Sequence, residues 1–338
     1  MKSILRLIFI SVLLPFLFAC NTNPLKVDIS EIENDIEIVR FDNELFSLPQ
    51  QNLLQELLNL REKHSGFFDL FTYKVIRIGG IDDEQFLDLI SQFRSDTMIT
   101  NALSMVEDEF SDFEKTAQQL NKSFKYFQYH FPEKKLPTIF AYVSGFNQSV
   151  VTAENIIGIS LDKYLGRNCS FYQNLSTTPQ YKIMNMYKEK LVSDVAYAWG
   201  VTEFEGTNKA TNLLGNMIHQ GKLMYFVDAL LPETPDSLKI GYTAKQLKWC
   251  TTNEAQMWIS LVENKMLYSS KRMDIIRYTN DGPYTNGFPL ESPARTAVWI
   301  GWQIVREYMK KHPETTLPEL MQNSDYQEIL NGSGYFPE

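Results

Sequence analysis

The sequence predicts a predominantly helical α+β fold, with a small antiparallel sheet in the first half and helices throughout the second. Three observations lead there. Residues 35–41 (Asp-Ile-Glu-Ile-Val-Arg-Phe) alternate polar and apolar, the period-2 signature of a strand with one buried face. Two runs, 138–143 (Thr-Ile-Phe-Ala-Tyr-Val) and 155–161 (Asn-Ile-Ile-Gly-Ile-Ser-Leu), are rich in β-branched and aromatic residues and close enough to pair antiparallel. From residue 179 onward apolar residues recur at helical spacing, and no later run has comparable strand quality.

Taken in order, the chain opens with Lys2 and Arg6, followed by a run from Leu7 to Ala19 that is apolar except for Ser11. The run is too short to span a bilayer and suits the core of a signal peptide. It ends in Leu17-Phe18-Ala19-Cys20, which resembles a bacterial lipobox. That pattern predicts cleavage before Cys20 and acyl chains, palmitate among them, on its thiol and new amino group. The expected organisation is a cleaved leader (1–19), a lipid-anchored tether (20–34) and one domain (35–338).

Helices are expected after Pro49, through Leu53, Leu54, Leu57, Leu58 and Leu60 to His64-Ser65-Gly66, and again after Asp82 or Asp83 as N-cap with Gln85 closing a capping box. Residues 100–130 read as helical. In the second half, helices are expected near 179–199, 207–230, 243–268 and 293–311, the last opened by Ser292 as N-cap and Pro293 at the first position. Between them 269–292 reads as a long loop, with Tyr284 and Phe288 as contact surface.

Composition bounds function. With 338 residues, 44% hydrophobic and 22% charged, the chain is neither a disordered regulator nor a collagen-like or disulfide-dense protein. Lys2 and Arg6 are the only charges of the leader, so its removal takes the formal net charge from −9 to −11. So acidic a chain is a poor fit to nucleic acid and binds membrane only through its anchor. Cys169 and Cys250 sit beside aromatics; an exported chain allows one bridge between them, and the neighbouring aromatics suit free, buried thiols equally well, with a slight preference for the latter. The aromatic content, 22 Phe, 17 Tyr and 5 Trp, points to core and partner contact.

Familiar catalytic motifs fail. Gly215…Gly221-Lys222 is spaced too widely for a P-loop, and Leu223 stands where Ser or Thr would hold magnesium. Of the four histidines, His64 and His312 read as helix C-termini and His130 as packing. His219 lies mid-helix, where a zinc peptidase places His-Glu-x-x-His, but the frame reads His219-Gln220-Gly221-Lys222-Leu223. Gln220 cannot act as a base and Leu223 has no lone pair for zinc, while Glu254 or Glu263 downstream could offer a further ligand. Lys222 could pair with Asp228 or extend to solvent. The expectation is no metal, no cofactor and no catalysis.

Several segments together resemble the family of gliding motility lipoproteins named GldB: the lipobox at Cys20; residues 38–42 (Ile-Val-Arg-Phe-Asp) with Leu45-Phe46; 221–228 (Gly-Lys-Leu-Met-Tyr-Phe-Val-Asp) with Leu231-Pro232; 246–250 (Gln-Leu-Lys-Trp-Cys) with Asn253-Glu254; Gly282-Pro283; 292–295 (Ser-Pro-Ala-Arg); and 301–305 (Gly-Trp-Gln-Ile-Val). The resemblance implies a lipoprotein of the envelope machinery that moves gliding bacteria. It also implies a distant likeness to a zincin-type peptidase family, with His219 matching the first zinc ligand, Gln220 replacing the base and Leu223 the second ligand. The expected function is therefore binding of other gliding-machinery envelope proteins on a catalytically degenerate zincin-like scaffold. His219, Gln220, Lys222, Leu223, Tyr225 and Glu254 are its remnant or binding site. The alternatives are an active zinc-dependent metallopeptidase with unusual ligands and a periplasmic small-molecule binder. No acidic run follows Cys20, so a periplasm-facing position is expected. Asp96-Thr97-Met98 and Asp236-Ser237-Leu238 match the O-glycosylation pattern of that bacterial group.

Overall fold

Four short strands, β1 (Ile38–Arg40), β2 (Thr138–Tyr142), β3 (Val150–Ala153) and β4 (Ile156–Ser160), form a sheet in the order β1-β2-β4-β3. The structure, a computed structural model, describes residues 23–33, 35–175 and 178–337; the leader and Cys20 lie outside them. The sheet is mixed, which corrects the antiparallel expectation. β2 runs parallel to both β1 and β4, and only β3 and β4 form an antiparallel hairpin. The extra strand β3, hidden between the two expected runs, reverses the chain once more and so aligns β2 with β4.

Successive residues of a strand point to opposite faces, and here both faces are covered. Ile139 and Ala141 of β2 enter a large core with the second-half helices, while Phe140 and Tyr142 enter a smaller one. The smaller core belongs to α1 (Phe41–Ser47), α2 (Leu53–Lys63), α3 (Ser65–Leu70), its π-helical continuation (Phe71–Val75) and α4 (Phe86–Ser95). Its centre is aromatic: the Phe67 ring stacks on Phe140 with centroids 4.3 Å apart, and Phe41 meets Phe67 edge-on at 4.9 Å. Asp42 is buried there and holds the Arg40 guanidinium through two hydrogen bonds of 2.8 and 2.7 Å.

Most expected helical zones form, but they break where the sequence offers a local cap. The zone 100–130 is α5 (Thr97–Glu109) and α6 (Phe113–His130); Asp96 caps α5 by accepting from the Met98 and Ile99 N–H groups. Before α4, Asp83 does not cap. Its carboxylate accepts from Gly80 N–H at 2.6 Å, and the helix starts at Phe86. After α7 (Ser170–Gln173), the zone 179–199 divides into α8 (Gln180–Ile183) and α9 (Leu191–Glu203). The next helix is α10 (Leu213–Leu230), followed by α11 (Asp236–Ile240).

The zone 243–268 divides into α12 (Ala244–Thr252), opened by a Thr243–Gln246 capping box, and α13 (Glu254–Glu263). The expected loop 269–292 contains α14 (Arg272–Thr279). α15 (Thr296–Lys311) starts later than predicted, behind Arg295 at φ 60°, because Ser292 closes a turn onto Pro289 and Pro293 O accepts the Thr285 hydroxyl. α16 (Leu317–Gln322) and α17 (Tyr326–Ser333) complete the chain. Cys169 and Cys250 are free and buried, as expected. Among the described residues no helix is long and apolar enough to cross a membrane.

The closest approach in the large core is between α10 and α15. A Cβ added to Gly301 would fall 1.9 Å from Met217 O, and one added to Gly221 would fall 2.2 Å from Gly301 O. The two backbones touch, so neither helix can accept a methyl group without moving. Gly301→Ala and Gly221→Ala are each expected to destabilise the protein by about 3 kcal/mol, at the upper end of overpacking costs, read as a lowered urea midpoint. An unchanged midpoint would contradict the crossing.

Candidate functional site

α10 carries most of the residues singled out by sequence, and it is enclosed almost throughout. All its residues except Asn216 and Gln220 are buried. A helix apolar on every side lies inside a core, so each polar group on it needs an internal partner.

Lys222 is fully buried, and its ammonium donates to Met321 O at 3.0 Å and Asn323 O at 2.6 Å. It therefore pairs neither with Asp228 nor with solvent, as the sequence had suggested. Burial pulls its pKa down from 10.5 to about 8. Asp228 instead accepts from Lys239 (2.7 Å), from Trp302 Nε1 (2.7 Å) and from the Arg306 guanidinium (2.7 and 2.9 Å). Arg306 also donates to Asp236 at 2.7 and 2.8 Å, and lies 3.8 Å over the Trp302 ring. Hydrogen bonds to these two carboxylates overcome the desolvation of Arg306 and raise its pKa. Asp236, the first residue of one glycosylation-pattern triplet, is thus tied to Arg306. In the other triplet, Thr97 is exposed at the start of α5.

His219 is buried and its Nδ1 has no partner. Burial first, and the nearby Lys222 charge second, lower its pKa from 6.5 to about 4. Leu223 packs in the core, and Tyr225 does too, its pKa pushed up to about 12 by burial with a further push from Asp228. Glu254 accepts from Trp299 Nε1 (3.2 Å) and from the Tyr335 hydroxyl (2.7 Å), so it pins the chain's end to α15. Among the described residues no three His, Cys, Asp or Glu side chains converge to hold a metal. The other histidines serve structure. His64 is buried against Glu44 (2.9 Å) rather than facing solvent, and His312 stacks on Tyr308 with centroids 4.4 Å apart.

Gln220, one of the two residues of α10 that are not buried, reaches toward open space. Its Oε1 accepts the Tyr197 hydroxyl at 2.5 Å, and Tyr197 lines a cavity of about 350 Å³. Met224, one turn further along α10, lines the same cavity. The remaining wall comes from Arg167, α8 and the residues after it, Lys190 and α9, α11, the start of α12 and the segment 281–295, and it includes Asp194, Lys239 and Arg295. Lys190 bonds to Asp194, whose other oxygen accepts the Tyr164 hydroxyl at 3.0 Å. Arg295 pairs with Asp281 at 3.1 Å and donates to Ile240 O. Of the expected site residues, this cavity gathers Gln220 only, and that through Tyr197. Lys190, Asp194, Lys239 and Arg295 were missed because they stand apart in sequence on separate elements.

A second cavity of about 420 Å³ lies between α6, α9 and the α10–α11 turn, with Tyr126, Val192, Leu230 and Leu238 on its walls. The start of the described chain crosses its rim. Asn23 donates to Pro232 O at 2.9 Å, Lys26 and Lys122 both pair with Glu233, and Leu25 packs on the large core.

Comparison with known proteins gives one match: the family model described as gliding motility protein GldB covers residues 22–337. No curated protein and no solved structure matches the chain.

Two consequences of this buried polar system can be measured. Asp228→Asn leaves the buried Lys239 with only the Asp236 carboxylate, 4.0 Å away, and weakens the hold on Arg306, so it should cost about 3 kcal/mol in chemical denaturation. Burial likewise holds the His130 pKa at about 4, so both it and His219 are neutral in the fold down to that pH but titrate near 6.5 when unfolded. The unfolded chain then binds more protons between pH 6.5 and 4, and stability falls as pH drops through that interval, by on the order of 2–3 kcal/mol per imidazole. His219→Gln should flatten the dependence of the urea midpoint on pH between those values; an unchanged slope would place the acid sensitivity elsewhere.

Proposed function

The chain belongs to the GldB gliding motility family, and from that membership we propose that it is a lipid-anchored envelope component of the gliding machinery that acts by binding other envelope proteins of that machinery. In this reading the leader is removed, Cys20 carries the acyl chains and the domain faces the periplasm. The described chain begins at the rim of the second cavity, where Asn23 is bonded to Pro232 O.

The observation that best supports a binding rather than a catalytic role is the engagement of α10. The frame position where a zinc peptidase has its base is Gln220, hydrogen-bonded to Tyr197, and the position of the second ligand is Leu223, packed in the core. Lys222 and Asp228 are spent on internal partners. A degenerate zincin-like scaffold, retained for its shape, fits that arrangement.

The reading is tested in a gliding strain whose own copy has been replaced. Cys20→Ala should release the protein from the membrane fraction and abolish colony spreading. His219→Asn should spread normally at normal protein levels, and cross-linking of the anchored protein should capture envelope components of the gliding machinery. If His219→Asn accumulates normally yet stops spreading, and also loses near-stoichiometric zinc held by the unsubstituted protein, the metallopeptidase reading replaces this one.

A further inference from the structure

The cavity beside Tyr197 has a charge opposite to that of the chain around it. Five cationic side chains, Arg167, Lys182, Lys190, Lys239 and Arg295, meet only two carboxylates, Asp194 and Asp281, on its wall. The whole chain carries a formal charge of −9. Internal pairing removes part of this excess: Lys190 bonds to Asp194, Arg295 to Asp281, and Lys239 to Asp228 behind the wall.

Two cations at the rim remain. Arg167 donates to Met184 O at 2.8 Å and lies 4.2 Å over the Tyr187 ring, contacts that fix its position without neutralising it. Neither Arg167 nor Lys182 forms an ion pair with a described residue.

The backbone adds to the same field. α12 and α15 both start on this wall, with Thr243 and Arg295 as their N-caps. The start of a helix carries a partial positive charge, which favours anions, while the Gln246 and Thr296 N–H groups there are taken by the Thr243 and Thr285 hydroxyls. Beside the charges, Met224, Ile240 and Pro283 offer apolar surface. The volume, about 350 Å³, falls in the range of small-molecule sites.

We propose that this cavity binds a small organic anion, its carboxylate or phosphate held between Arg167, Lys182 and the two helix starts and its apolar body against Met224 and Pro283. The site is independent of the protein-binding role, which could stand without it. The charge is placed to raise the local concentration of the anion and to hold its head, while the ion pairs of Lys190, Lys239 and Arg295 fix the wall behind it.

Isothermal titration of the full-length chain in neutral detergent micelles, with citrate and glucose 6-phosphate at matched ionic strength, tests the assignment. At least one of the two is expected to bind saturably, one molecule per chain. Preference for citrate would identify a carboxylate site, and preference for glucose 6-phosphate a phosphate site. The variant carrying both Arg167→Glu and Lys182→Glu should bind at least about tenfold more weakly, equivalent to ~1.4 kcal/mol. Both side chains are exposed, so its ligand-free melting temperature should match that of the unsubstituted protein. Absence of saturable binding by both anions at millimolar concentration overturns the proposal, as does equal affinity in the folded double variant. Neither outcome bears on colony spreading or on captured partners.

Discussion

The contact between the backbones of α10 and α15 is the constraint on which the second half of the molecule depends. Packed helices ordinarily keep their axes ~8–10 Å apart because side chains fill the space between them. Gly221 and Gly301 remove those side chains at the same point, and the carbonyl of Met217 occupies the space that a methyl group on Gly301 would need. With α15 this close on one side, α6, α9, α14, α16 and α17 close the remaining sides of α10. The helix loses every solvent face except the strip around Asn216 and Gln220.

That enclosure decides what the polar residues of α10 can do. A buried ammonium is tolerated only where it is fully hydrogen-bonded, and Lys222 finds its acceptors at the end of α16, in Met321 O and Asn323 O. Carbonyls at a helix C-terminus lack intrahelical donors and carry the negative end of the dipole, so Lys222 serves as a cap supplied by a neighbouring helix. Asp228 meets the same requirement with opposite sign, gathering Lys239, Arg306 and Trp302 from two other elements. These polar contacts tie α11, α15 and the α16 end to α10 with a directionality that apolar packing alone lacks.

Helical periodicity made most helices legible in the sequence, and the alternation at 35–41 made β1 legible. Helix breaks were less so, because they depend on small competitions: Asn253 Nδ2 turns back to Trp249 O and ends α12, and Ser292 is used in a turn before it can cap α15. Sheet direction was not legible, since β3 is only Val150–Ala153 and its existence changes the relation of β2 to β4. In the site, Lys222 and Gln220 stood out as polar residues in an apolar helix. Their partners did not, because Tyr197, Met321 and Asn323 are remote in sequence and no periodicity links them. The cationic cavity was hidden for the same reason, each of its charges reading separately as an ordinary surface residue.

Geometry along α10 also decides which of its residues can communicate with the outside. His219 and Leu223 stand one turn apart and share a face, as do Gln220 and Met224. The first face is packed: Leu223 lies in the core and the His219 ring is buried with Nδ1 unpartnered. The second face opens on the cavity, Met224 directly and Gln220 through the Tyr197 hydroxyl. A ligand in that cavity would therefore be felt by α10 through Gln220 and Met224. Because Gly221, the next residue after Gln220, is locked against Gly301, a shift at this face cannot be absorbed by local bending of α10 toward α15. Tyr197 belongs to α9, and α9 borders both cavities. The helix that carries the most conspicuous histidine thus meets the cavity on the neighbouring face, through Met224 and, by way of Tyr197, Gln220.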